Sequence, residues 1–185
     1  MTRITPLDIP DVLLIEPRRS GDDRGFLSET YNQRVLADAG FTRPFVQDNH
    51  SLSRRRGTLR GMHFQIPPHA QDKLIRVTRG AALDVAVDLR RSSPTFGRHV
   101  AVELSADNWR QLLIPKGFAH GFLTLTDDCE VLYKVSDYYA PATERGVMWN
   151  DPDLGIDWPM TGDEVILKPV DTQWPRLAEL GADFE

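Results

Sequence analysis

The sequence predicts an all-β fold, and two observations carry that prediction. Thirteen glycines and thirteen prolines are spread through the 185 residues, and they divide the chain into many short segments that end in turns. Between these breaks, most segments alternate apolar with polar residues, as a strand with one buried face does. Helices are expected only at residues 32–40, which have a polar start and a terminal glycine, and as a short helix near residues 175–180.

The elements are expected in the following order. A short strand at residues 12–15 is stopped by Pro17 and by a turn at residues 21–23. Residues 24–31 alternate again, so that Arg24, Phe26 and Glu29 face either a cavity or solvent. Residues 45–51 (FVQDNHS) form an extended segment dense in hydrogen-bonding side chains, which indicates the lining of a pocket. Further strands are predicted at residues 59–65, 73–78, 81–87, 99–104, 111–114 and 130–135.

Length and composition restrict the class of protein. A chain of 185 residues with 41% hydrophobic and 26% charged residues can bury one substantial core. No repeat or linker interrupts it, so we expect one domain over residues 1–185, with a core barrel at about 45–140 and the amino-terminal strands and carboxyl-terminal tail appended. The net charge of -5 argues against a nucleic acid or an anionic membrane as partner. A single cysteine and the lack of a signal-like apolar segment predict a cytoplasmic protein.

The most specific pattern lies in residues 57–80. His63 stands six positions after a glycine, Gln65 follows it by two, and Lys73 stands seven positions before the next glycine of the pattern. This spacing resembles the first motif of the cupin barrels, and the Pro-x-Gly-x-x-His segment that ends at His120 resembles the second. Metal-binding cupins have histidine at the position of Gln65 and glutamate at the position of Lys73. A lysine ammonium, by contrast, repels a divalent cation. The pattern therefore predicts a metal-free site suited to proton transfer beside a polarised oxygen.

Each candidate residue also has an ordinary structural interpretation. A histidine between alternating strands is often a core residue, and a strand lysine is more often solvated. Tyr133 and Tyr139 are by default core or rim aromatics. The arginines at 54–56 fit a solvated loop, whereas Arg60 is the better candidate to bind an anion. Asp171 has no local signature of its own.

Several longer segments, in nearly unbroken order from residue 11 to residue 159, resemble the dTDP-4-dehydrorhamnose 3,5-epimerase family. The resemblance implies a cupin-type double-stranded β-helix, or jelly-roll barrel, with a few short helices and no cofactor. It implies a homodimer whose amino-terminal strands exchange between subunits, and inversion of C3 and C5 of dTDP-4-dehydro-6-deoxy-D-glucose. The segments are DDRGFLSETYN, FVQDNHS, LRGMHFQ, QDKLIRVTRGAALDVAVDLR, SPTFG, IPKGFAHGF, LYKVSDYYAP and WNDPDLGIDWP.

The same resemblance implies roles for individual residues. His63 would be the base, with Asp171 as the carboxylate that orients and charges it. Lys73 would stabilise the enolate oxygen in place of a metal, and Tyr133 would be the acid on the opposite face. The arginines among the substrate contacts would bind the diphosphate. Residues that match the family's substrate contacts are Arg24, Glu29, Gln47, Asp48, Asn49, Arg60, Lys73, His120, Tyr139 and Glu144.

One departure leaves alternatives open. Residues 167–171 read Leu-Lys-Pro-Val-Asp where the family commonly has Leu-Ser-x-Lys-Asp, so a substrate contact is either lost or supplied by Lys168. The change leaves room for a mono-epimerase that inverts C3 or C5 only, in another deoxysugar pathway. A metal-dependent cupin enzyme is a second alternative, which Gln65 and Lys73 oppose. A sugar or nucleotide sensor without activity is a third, which the complete set of catalytic residue types opposes.

Overall fold

The computed structural model describes residues 2–184 of the chain. In that range one helix, α1, spans Gln33–Asp38, and the other helical segments are short 3-10 turns. None of the described helices is long and apolar enough to span a membrane. The strands are β1 Arg3–Pro6, β2 Leu13–Glu16, β3 Arg19–Asp22, β4 Gly25–Ser28, β5 Gln47–Ser53, β6 Leu59–Gln65, β7 Lys73–Arg79, β8 Ala81–Asp88, β9 His99–Ser105, β10 Gln111–Ile114, β11 Phe118–Thr124, β12 Cys129–Val135 and β13 Glu144–Gly146.

Two antiparallel sheets form the barrel. The six-stranded sheet has the order β1-β2-β10-β7-β12-β5, and the five-stranded sheet has the order β13-β6-β11-β8-β9. Most neighbouring strands are not consecutive in the sequence, as expected when the chain crosses repeatedly between two facing sheets. The all-β fold is confirmed, and the arrangement is the jelly-roll barrel that the cupin resemblance implies.

Three apolar clusters account for the position of the sheets. The first fills the barrel between them, where Ile75 and Leu112 of the six-stranded sheet meet Ala86 and Phe122 of the five-stranded sheet. The second covers the outer face of the five-stranded sheet with the carboxyl-terminal tail, including Trp158. The third packs α1 and its flanking residues on the outer face of the six-stranded sheet. Each main sheet is therefore covered on both faces over part of its area, which explains why β11 is buried along its whole length.

Most predicted elements are confirmed, with boundaries that move by one or two residues. The helix begins after Asn32, whose side chain accepts a hydrogen bond from the Arg34 amide, and the chain leaves it through Gly40 with φ of 93°. The predicted turn at residues 21–23 is wrong in part, because Gly21 pairs with Phe26 inside a two-stranded hairpin. The strand predicted over residues 24–31 is correspondingly shorter.

This hairpin, β3 with β4, stands apart from both main sheets. Its apolar side chains are unusually open to solvent, with Phe26 59% and Leu27 79% exposed. Phe26 makes an edge contact with Trp109, and the Arg19 guanidinium lies over both rings. The alternation of residues 24–31 therefore corresponds to an exposed ribbon in the isolated chain.

Candidate active site

A cavity of about 580 Å³ lies between the two sheets. Most of its polar side chains come from three parts of the chain: the six-stranded sheet, the five-stranded sheet and the carboxyl-terminal segment. The six-stranded sheet supplies Gln47, Asn49, Lys73 and Tyr133; the five-stranded sheet supplies Arg60, His63, Gln65, His120 and Glu144; the carboxyl-terminal segment supplies Lys168 and Asp171. Together with Tyr139, which also lines the cavity, they bring ten of the thirteen site residues predicted from the sequence to one place.

His63 and Asp171 form a hydrogen-bonded pair. The distance from His63 Nε2 to Asp171 Oδ1 is 2.6 Å, and the Asp171 side chain is almost fully buried while that of His63 is 31% exposed. Burial opposes ionisation of the carboxyl, but hydrogen bonds from His63 and Trp174 and the nearby Lys168 charge hold the pKa of Asp171 below its usual value. An ionised carboxylate can only accept, so His63 carries its proton on Nε2. The lone pair of the neutral ring is therefore on Nδ1.

Lys73 is a buried cation at the start of β7. Among residues 2–184 its one hydrogen bond runs from Nζ to the His63 carbonyl at 3.2 Å, so two N–H groups stay available to a ligand. Burial lowers the pKa of Lys73 to about 8, and the charges of Asp84 and Glu144 oppose that decrease. Near neutral pH the side chain is thus a charged donor whose proton is unusually acidic.

His120 lies directly across the strand pair from His63. Its Nε2 is 3.0 Å from both carboxylate oxygens of Asp84, and both side chains are buried. Burial lowers the pKa of His120, the neighbouring Lys73 and His63 add to that effect, and Asp84 opposes it. Asp84 was not predicted from the sequence. A carboxylate between Ala82 and Ala86, on the inward side of β8, is the signal that could have found it.

The two tyrosines occupy different parts of the site. Tyr133 is on β12, in the sheet that faces the one that carries His63, and it packs partly against the barrel core. Burial and the charge of Glu144 raise the pKa of Tyr133, although Arg60 opposes the rise. Tyr139 is at the rim and donates from its hydroxyl to Glu144 Oε2 at 2.8 Å, which raises the pKa of Tyr139. Both phenols therefore keep their protons at neutral pH.

Gln65 stands at a position where metal-binding cupins have a ligand, and its side-chain amide is hydrogen-bonded to the backbone. Its Nε2 donates to the carbonyls of His69 and Tyr138 at 2.7 and 3.2 Å, and its Oε1 accepts from the Ala140 amide at 2.8 Å. The side chain thus ties the loop after β6 to the segment that carries Tyr139. In residues 2–184, no three histidine, cysteine, aspartate or glutamate side chains are grouped so that they could hold a metal ion.

Arg60 is held at the mouth of the cavity. Its Nε donates to Ser53 Oγ and its terminal nitrogen to the Leu52 carbonyl, each at 3.2 Å. Lys168 also lines the cavity, whereas Val170, at the position of the family's lysine, is 38% exposed and is not among the lining residues.

Three predicted contact residues lie outside this cavity. The Arg24 side chain is 89% exposed and pairs with Asp22 at 2.5 Å. Glu29 accepts a hydrogen bond from Asn32 at 3.0 Å in the amino-terminal part of the chain. Asp48 is exposed and binds Lys134 at 2.8 Å, because alternation along β5 turns it away from Gln47 and Asn49. In the isolated chain these three side chains cannot contact a ligand bound between the sheets.

Comparisons with known proteins agree over nearly the whole chain. The family model for dTDP-4-dehydrorhamnose 3,5-epimerase matches residues 6–179. The dTDP-4-dehydrorhamnose 3,5-epimerase of Pseudomonas aeruginosa is 55% identical over 178 residues, which cover 96% of this chain and 97% of the relative.

Two solved structures are informative about the site. The crystal structure of the Legionella pneumophila dTDP-6-deoxy-D-glucose-3,5-epimerase in complex with dTDP-4-keto-L-rhamnose has a TM-score of 0.94 and 43% identity; the match covers 99% of this chain and 96% of that one. A 3'-monoepimerase from Streptomyces bikiniensis, in complex with dTDP-quinovose, has a TM-score of 0.86 and 40% identity. The match covers 94% of this chain and 87% of that one.

Proposed function

The chain belongs to the dTDP-4-dehydrorhamnose 3,5-epimerase family, and from that premise we propose the reaction, the residue roles and the assembly described below. The protein is an isomerase that converts dTDP-4-dehydro-6-deoxy-D-glucose to dTDP-4-dehydro-L-rhamnose in dTDP-L-rhamnose biosynthesis. The observation that carries the residue roles is the His63–Asp171 pair on one wall of a cavity whose other wall supplies Tyr133 and Lys73.

The chemistry begins with the 4-keto group, which acidifies the protons on C3 and C5. His63 Nδ1 removes one of these protons, and the electron pair of the broken C–H bond moves to the C4 oxygen as an enolate. Tyr133 then delivers a proton to the opposite face of the same carbon. The imidazolium loses its proton and the phenolate regains one through solvent before the second carbon reacts. General acid-base help of this kind is worth roughly 100- to 10,000-fold in rate.

The two walls of the cavity support this division of roles. His63 belongs to β6 of the five-stranded sheet, and Tyr133 belongs to β12 of the six-stranded sheet. A flat enolate held between the sheets therefore presents one face to the imidazole and the other to the phenol. Inversion requires that geometry, because the proton must return to the face opposite the one it left.

Lys73 has the electrophilic role in this proposal. Its free N–H groups can donate to the enolate oxygen, and its burial makes that interaction stronger than in water. The low pKa of about 8 narrows the difference in acidity between the ammonium and the enol. Loss of one such donor typically costs roughly 100- to 1,000-fold in turnover.

The remaining polar side chains are proposed to bind the nucleotide sugar. Arg60 presents a charged group at the mouth of the cavity, suited to the diphosphate. Gln47 and Asn49 point from the same side of β5 into the cavity, and their amides are bonded to each other at 3.0 Å. His120 and Glu144 also line the cavity and are proposed to contact the sugar.

We propose that Arg24 and Glu29 serve the site of a partner subunit. Both are remote from their own chain's cavity, and they flank an exposed apolar ribbon that includes Phe26 and Leu27. Burial of that ribbon against a second copy would remove apolar area from water, which favours association. The homodimer with exchanged amino-terminal strands is supported by this arrangement and by family membership. A cytoplasmic location, suggested by the single free Cys129, belongs to the same proposal.

Inversion of one carbon only is the second candidate. The Streptomyces bikiniensis 3'-monoepimerase is similar in fold, so fold similarity does not by itself decide the number of carbons inverted. The 3,5-epimerase of Pseudomonas aeruginosa is more similar in sequence, at 55% against 40% identity, and this favours inversion of both.

The deciding experiment follows solvent deuterium. The purified protein is incubated in D₂O with dTDP-4-dehydro-6-deoxy-D-glucose, and the sugar is analysed by NMR after reduction at C4. Deuterium at both C3 and C5, with inverted configuration, is the expected result, and the Asp171→Asn variant should exchange much more slowly. Label at one carbon would establish the mono-epimerase, and no label at either carbon would exclude both reactions.

A further inference from the structure

Trp174 contacts the proposed base without lining the cavity. Its indole Nε1 donates to Asp171 Oδ1 at 3.2 Å, and this is the same oxygen that bonds His63 Nε2. The indole ring also meets the imidazole edge to face, with 6.0 Å between the ring centroids. Two donors therefore converge on one carboxylate oxygen, and only one of them belongs to the expected catalytic set.

The backbone around Trp174 fixes its position. Gly146 of β13 pairs with His63 of β6, and the indole lies on Gly146, where any Cβ atom would overlap the ring. The Met148 amide donates to the Pro175 carbonyl at 2.8 Å, which holds the chain just after the tryptophan. A glycine opposite His63 thus provides the space that brings the indole next to the histidine's carboxylate partner.

We propose that Trp174 is a positioning residue for the His63–Asp171 pair, and that its indole N–H sets both the orientation and the basicity of the Asp171 carboxylate. The inference rests on the proposed function of that pair. A carboxylate on a short 3-10 turn has rotational freedom about its side-chain torsions, and a second donor on Oδ1 restricts it to the orientation that His63 needs. The same donor spreads the negative charge, so the carboxylate stabilises the imidazolium less than it would with His63 alone.

The test uses Trp174→Phe, which keeps an aromatic ring on Gly146 and removes the N–H. Without this N–H the pKa of the Asp171 carboxyl rises, so the decline of kcat/KM at acid pH should move to higher pH, and kcat/KM on that decline should fall by roughly three- to tenfold. At pH 7.5 the loss should be much smaller, and KM should stay within twofold because Trp174 is not a cavity residue. In the same variant the pKa of Asp171 should rise, as followed by ¹³C NMR of its side-chain carboxyl.

The matched control is Trp158→Phe. That indole donates to the Trp149 carbonyl at 2.8 Å in the cluster behind the five-stranded sheet, so its loss should lower stability without changing the pH profile or the Asp171 carboxyl signal. If Trp174→Phe does not fold, Gly146→Ala displaces the indole from the other side and should move both readouts in the same direction.

The outcomes separate this inference from the proposed function. An unchanged pH profile and an unchanged carboxyl titration in the folded variant would overturn the positioning role, even though the wild type epimerises. A wild type without deuterium exchange would overturn the epimerase proposal, while the NMR titration would still decide whether the indole controls Asp171.

Discussion

Activity should decline above about pH 8 because Lys73 loses the proton that makes it an electrophile. Burial lowers the pKa of this lysine to about 8, so about half of the molecules carry the ammonium at pH 8 and about a tenth at pH 9. If only the charged form stabilises the enolate, kcat/KM falls about tenfold for each pH unit above 8. Tyr133 cannot produce this decline, because burial raises the pKa of its phenol from the ordinary value of 10.0.

The perturbation that isolates Lys73 is its replacement by arginine. A guanidinium stays charged throughout the range, so Lys73→Arg should retain part of the activity and lose the decline at pH 8. Lys73→Met removes the charge and should lower kcat by roughly 100- to 1,000-fold at pH 7. The assay is the initial rate of deuterium incorporation at C3 and C5, measured from pH 6 to 10.

The matched control is Lys116→Arg, because Lys116 is exposed on the loop before β11 and is not among the residues that line the cavity. This variant should reproduce the wild-type profile. A decline near pH 8 that persists in Lys73→Arg would refute the assignment of that decline to the lysine. A wild-type rate that stays flat to pH 10 would refute the proposed need for its charge.

Three further predictions follow from single contacts. Replacing Gln65 by Glu puts a carboxylate against two backbone carbonyls and should displace the segment that carries Tyr139. In steady-state kinetics, KM should therefore rise about tenfold, with a smaller change in kcat. Asp171→Asn should lower kcat by roughly 100- to 10,000-fold with KM nearly unchanged, because the amide can fix the wrong tautomer of His63. An exchange rate equal to that of the wild type would contradict this role of Asp171. Arg24→Ala should be inactive alone, and mixing it with Asp171→Asn subunits under conditions of subunit exchange should restore one intact site per heterodimer; no recovery would contradict the exchanged strands.

Local pattern was sufficient to predict the strands that form the cavity. Residues 59–65 and 111–114 have the predicted limits, because each is a mostly buried segment bounded by turn residues, Gly57 and Pro67 for the first and Pro115 for the second. The motif spacing then placed His63 and Lys73 in one cavity, since a shared scaffold fixes which strand positions face inward. The hairpin of β3 and β4 was harder to predict, because its side chains are exposed on both faces and alternation carries little information there.

The second partner of each histidine could not be predicted from local sequence. Asp171 is 108 positions from His63 and lies on a 3-10 turn in the tail, so only the family resemblance pointed to it. Asp84 lies in a segment that resembles the family but was not singled out there, and Trp174 lies outside every such segment; their importance arises from tertiary contact with His120 and Asp171. Such pairs depend on how the sheets and the tail pack, which the order of residues along one strand does not encode.

The comparison with metal-binding cupins explains why this site should depend on pH through its electrophile. A metal ion keeps its charge over the working range, whereas an ammonium keeps it only below its pKa. In the proposed mechanism, the burial that lowers the pKa of Lys73 to about 8 brings the ammonium closer in acidity to an enol and so strengthens its hydrogen bond to the C4 oxygen. The same burial brings the loss of that charge close to neutral pH. Asp84 and Glu144 limit the loss, since their negative charges favour the ammonium. Their removal should therefore move the decline in activity to lower pH. Two carboxylates that need not touch the reacting carbons would thus help to set the pH range in which the enzyme is active.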